Sequence, residues 1–145
     1  MKKIKDCRGE IRGPIMTSAP GDRKTICELI RQKAKEKGIP VNVSYDEVSS
    51  GGLFGKAMPC LIVSHPNPPM SYFDHMIIIN GNVYNFQFWG NSKANYNNNM
   101  KEMDRKSGTI SGMIKSAIRS DMSMELQTEH LWHQQVASIY EEIFV

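Results

Sequence analysis

Phe73-Asp74-His75-Met76-Ile77-Ile78-Ile79-Asn80-Gly81-Asn82-Val83-Tyr84-Asn85-Phe86-Gln87-Phe88-Trp89-Gly90 is the stretch that decides the fold. Two runs rich in β-branched and aromatic residues flank Asn80-Gly81, a dipeptide that strongly favours a tight reversal between strands. The stretch therefore reads as a β-hairpin. A two-residue turn at Asn80-Gly81 pairs Ile79 with Asn82 and His75 with Phe86. A three-residue loop, Ile79-Asn80-Gly81, with Gly81 as a left-handed bulge residue, pairs His75 with Asn85 instead. A one-residue slip turns a strand's side chains to the other face, so the choice matters. The bulged register is preferred. It gathers Met76, Ile78, Tyr84, Phe86 and Phe88 on one apolar face and leaves His75, Asn85 and Gln87 together on the other.

Working outward, Val41, Val43 and Tyr45 alternate with Asn42, Ser44 and Asp46, which predicts a strand, and Cys60-Leu61-Ile62-Val63 predicts a short buried one. Ser49–Gly55 reads as a loop and His65–Pro69 as an extended connector. A helix is expected from about Lys24 to Lys37, capped by Asp22 or Thr25 and stopped by Gly38 and Pro40, with Ile26, Leu29, Ile30 and Ala34 as its apolar stripe. Residues 1–21 are basic and broken by Gly9, Gly13, Pro14, Pro20 and Gly21, so they read as a loosely ordered arm. Beyond the hairpin, Asn91-Ser92 can cap an asparagine-rich segment. Ile110, Met113, Ile114, Ala117 and Ile118 then mark an amphipathic helix. A last helix starts at Asp121 or Ser123 and carries Trp132, Val136, Ile139, Tyr140 and Ile143 on one face. The expected fold is α+β: an N-terminal helix, about four antiparallel strands around the central hairpin, and C-terminal helices, all in one domain over 22–145.

The 145 residues suffice for one core, and no apolar run reaches the ~18 residues of a membrane span. Met1–Cys7 has no apolar stretch resembling a secretory signal, and three cysteines without framework spacing point to reduced thiols. The expectation is a cytoplasmic protein. Net charge is +3, but unevenly spread: residues 1–38 carry +6, 39–90 carry −2, 91–120 carry +4 and 121–145 carry −5. Basic and acidic helices can simply pack together, or the basic ones can face an acidic partner. Apart from charge there is no nucleic-acid signature, so a protein partner is the first expectation.

A thiol nucleophile needs a lowered pKa and a neighbouring base, and a helix start supplies the first. Cys27 falls in the first turn of the predicted helix. His75 can act as the base, with Asn85 fixing its tautomer, Gln87 as a second orienting amide and Asp74 pointing away. The backbone N–H of Cys27 can serve as an oxyanion donor. The plain alternatives are that Cys27 and Cys60 are small core residues and His75 is structural. His130 and His133 can share a helix face, but a metal site needs two more ligands, so neither a metal nor a cofactor is expected.

The order of a cysteine at a helix start, Gly38-Ile39-Pro40 entering a strand, a histidine-bearing strand, a glycine turn and Val83-Tyr84-Asn85 resembles the papain-like superfamily. The likeness is to its papain-fold toxin and transglutaminase-like branches in particular, over about residues 22–90. It implies Cys27 as nucleophile, His75 as base and Asn85 as orienting residue. The protein would then be a cysteine hydrolase or acyl transferase acting on a peptide or glutamine amide through a thioester. The alternative is a non-enzymatic binding module, an inhibitor or adaptor, that uses its basic helical surfaces.

Overall fold

A computed structural model describes residues 2–17, 22–50, 55–67, 73–90 and 124–144. The described elements are β1 (Lys2–Lys3), a 3-10 turn (Ile4–Asp6), β2 (Glu10–Met16), α1 (Arg23–Lys37), β3 (Asn42–Ser49), β4 (Ala57–Ser64), β5 (Asp74–Asn80), β6 (Val83–Trp89) and α2 (Met124–Phe144). The expected asparagine-rich segment and the helix over 110–118 lie outside the described residues, as do 51–54 of the loop and 68–69 of the connector.

The sheet corrects the expected architecture. Among the described residues six strands, not four, run in the order β1-β3-β4-β5-β6-β2. The sheet is mixed, because β1 lies parallel to β3 while every other pairing is antiparallel. The two additional strands come from the segment read as an arm. Gly13 and Pro14 of β2 suit an edge, where a missing N–H and a bulge are tolerated. β2 pairs with β6 through two register shifts around Arg12 and still buries Ile11 and Ile15.

α1 forms as its capping residues dictate. The Asp22 carboxylate accepts from the Thr25 N–H at 2.7 Å. At the other end Gly38 takes φ 70°, and the Ile39 N–H returns to the Ala34 carbonyl at 2.9 Å. Ile26, Ile30 and Ala34 of α1 and Trp132, Val136, Ile139 and Tyr140 of α2 cover one face of the sheet, meeting Leu61, Val63, Ile77, Tyr84, Phe86 and Phe88.

The other face is concave. Lys2, on an edge strand, places its ammonium 5.8 Å from the centre of the Trp89 ring on β6. Four strand spacings in a flat sheet would hold these strands roughly 19 Å apart, so the sheet curls until they approach. Inside the curl Val48, Cys60, Ile62, Met76 and Ile78 form a second small core. Ile4 and Cys7, on the short link that runs from one sheet edge to the other, pack against it.

Among the described residues no helix is long and apolar enough to cross a membrane.

Candidate functional site

The hairpin sets where the expected site residues point. Its turn is Gly81-Asn82, with Asn80 paired to Val83. Gly81 has φ 63° and among the described residues no non-glycine has a positive φ, the pattern of a turn with glycine at its first central position. That places the reversal one residue later than an Asn80-Gly81 turn would. His75 therefore faces Phe88, not Asn85, and the preferred bulged register is corrected. Asn85 pairs with Ile78 and Gln87 with Met76, on the concave face, while His75 lies on the helix-covered face. The two amides and the imidazole are thus not brought together.

Cys27 shares the helix-covered face with His75 but is not presented as a nucleophile. α1 begins at Arg23, so Cys27 falls beyond its first turn, where the helix dipole has faded. Its side chain is buried between sheet and helix. Burial pushes the thiol up from its ordinary value; Arg31 lowers it and Glu28 raises it by less. Cys60 sits in the concave core and is pushed up to about 12, chiefly by burial and then by Asp46.

His75 is committed elsewhere. Its Nδ1 lies 2.7 Å from the Tyr140 hydroxyl and its Nε2 2.8 Å from Nδ1 of His133. His133 Nε2 lies 3.1 Å from Glu129 Oε1, which also accepts from the Phe73 N–H at 2.9 Å. One set of tautomers satisfies every pair with both imidazoles neutral. Tyr140 donates to His75, His75 donates to His133, and His133 donates to Glu129. Burial favours those neutral forms. It holds His75 well below its ordinary value, with His133 adding to the effect, and takes His133 down to about 3. Tyr140 is raised for the same reason. Phe88 and Trp132 pack against the His75 ring. All four polar side chains are buried, so the chain pins α2 to β5 rather than opening to a substrate.

The Glu129–His133 spacing and Tyr140 two helical turns further on are visible in the sequence, but nothing local says that they meet His75. His130 is buried as well, and among the described residues no three His, Cys, Asp or Glu side chains gather as a metal-binding set.

The surface has a different character. Two basic residues are taken by α2, Lys37 by Glu142 at 2.7 Å and Arg12 by Glu141. Arg31 and Lys35 on the exposed side of α1 have no carboxylate within ion-pair distance among the described residues. They line a half-open cavity of about 560 Å³ between α1 and the start of β3, with Asn42, Val43, Ser44 and Pro66. The Arg31 guanidinium also donates to the Val43 carbonyl at 2.9 Å.

No family model, curated protein or solved structure matches the chain. The papain-like resemblance rests on the quoted residues alone.

Proposed function

We propose that the protein is a non-enzymatic binding module that engages an acidic protein partner through the basic surface of α1. The observation that carries this reading is the pair Arg31 and Lys35, exposed and lining a cavity that among the described residues is lined by no acid. The acidic residues of α2 compensate Arg12 and Lys37 instead. The cysteine-hydrolase reading needs a thiol with a lowered pKa and a base aimed at it. Cys27 is buried with a raised pKa, and both nitrogens of His75 are engaged by other side chains.

The test is retention of a partner on the immobilised protein at about 0.1 M and about 1 M salt, where the screening length falls from ~10 to ~3 Å. The expected result is a bound species lost at high salt and lost with Arg31→Glu/Lys35→Glu, but kept with Cys27→Ala. Retention indifferent to salt and to charge reversal would refute the reading. So would turnover of an amide substrate that Cys27→Ala abolishes.

A further inference from the structure

We infer that the outer edge of β3, Asn42–Glu47, is a strand-addition site for an extended acidic segment of the partner protein; this rests on the binding reading above and places its contact.

The two edges of the sheet are treated differently. β2 is blunted by Gly13, Pro14 and two register shifts, devices that prevent another strand from pairing. β3 has none of these. It pairs with β4 without a break from Asn42↔Ser64 to Ser49↔Ala57, and contains neither proline, lysine nor a bulge. On its outer side β1 covers only Val48 and Ser49. Among the described residues no strand lies beside Asn42–Glu47. An edge of six residues with no bulge is long enough for a typical added strand, and what occupies its backbone groups is side chains that an incoming strand can displace: Arg31 on the Val43 carbonyl, Arg23 on the Asp46 carbonyl, and the Asp46 carboxylate, which accepts from the Glu47 N–H at 2.7 Å.

Charge selects the occupant. Arg31 and Lys35 stand over the Asn42 end of this edge, and Arg31 already rests on the Val43 carbonyl, an acceptor of β3. An incoming segment can replace that contact with a backbone N–H and release the guanidinium to a carboxylate of its own. At the other end Asp46 is paired with Lys2, and Arg23 donates to the Asp46 carbonyl at 3.0 Å while packing on the exposed Tyr45 ring. Glu47 remains exposed there, so the partner's acids belong at the Asn42 end. A second copy is a poorer occupant. If two β3 edges paired antiparallel over these residues, each β1 would have to occupy the line of the other copy's Pro40-Val41.

The experiment is selection of a displayed library of random heptapeptides against the whole protein, followed by synthesis of the winning peptide with and without N-methylation of alternate amides. The expected winners carry Asp or Glu toward the one end that meets Asn42. Their binding protects amides of Asn42–Glu47 from exchange, is weakened at least tenfold by Lys35→Glu, and is lost on N-methylation. Lys35 is exposed, and an unchanged melting curve confirms that the variant folds. Winners without acids, or affinity unmoved by Lys35→Glu or by N-methylation, overturn the proposal. Sedimentation showing a dimer that buries this edge does so too. Winners that protect another surface refute the edge site but leave the binding module standing. A selection that yields no binders refutes the edge site, and the module is then judged by its salt-dependent retention alone.

Discussion

Lowering the pH from about 7.5 to about 5 should destabilise this protein through His133 and His75. An imidazole whose folded-state pKa is depressed takes up its proton first in the unfolded chain. Its contribution to stability is therefore intact above the unfolded value near 6.5 and is lost as the pH falls through it. His133 is held down to about 3, so at pH 5 it is still neutral in the folded protein and charged in the unfolded one. Linkage over this range gives a loss of about 2 kcal/mol from His133 alone. His75 is depressed in the same direction, by burial and by His133, and adds to the loss. Asp74 opposes them. Burial raises its carboxyl to about 6 against the lowering effect of Lys2, so the folded state gains as that group protonates. Asp74 is partly exposed, and after discounting for solvent screening the offset is at most about 1 kcal/mol. The histidines therefore win. Urea midpoints measured at half-unit steps should show wild-type stability falling toward pH 5. In His133→Gln the slope below pH 6 should be shallower by about 1.4 kcal/mol per pH unit. Stability that is flat or rises on acidification, or an equal slope in the variant, would refute the neutral histidine chain.

Alkylation of the native protein, read per cysteine by mass spectrometry, should label half-buried Cys7 first, with Cys27 and Cys60 following only at the rate of unfolding. Rapid labelling of native Cys27 at neutral pH would restore it as a nucleophile and count against the binding module. Gly38→Ala should cost about 1 kcal/mol, seen as a lowered melting temperature. No heavy atom lies within 4 Å of the added Cβ, so the cost is the left-handed backbone alone.

What the sequence reveals about this fold is what local chemistry encodes. α1 is bounded by Asp22, Gly38 and Pro40, residues that act within one turn of themselves, and its limits are readable to a residue. β3 and β4 announce themselves by alternation and by an apolar run. β1 and β2 do not, because β1 is only two residues long, β2 carries the Gly13-Pro14 pair that elsewhere marks a loop, and the partners of both lie far along the chain. The hairpin is evident, yet its register is not. Asn80-Gly81 suggests a turn centred on both residues, whereas the structure uses glycine as the first central residue, and the partner of His75 changes with it. The site follows the same division. The capacity of His75 and Cys27 for chemistry can be read from residue type. That Tyr140, His133 and Glu129 claim the imidazole is a consequence of α2 docking on β5, which no neighbouring residue specifies.

The link between β1 and β2 carries a kinetic consequence. Residues 2–16 leave the ribosome before the strands they pair with: Lys2 must wait for Val48 and Glu10 for Gln87 before either has a neighbour. Ile4 and Cys7, which close over the concave core, lie in the chain between those two pairings. Closing so long a loop precedes the contacts that reward it, which slows folding. A segment made before its partners is therefore among the last to settle, and until it does both flanks of the sheet and the inner core stay open to other chains.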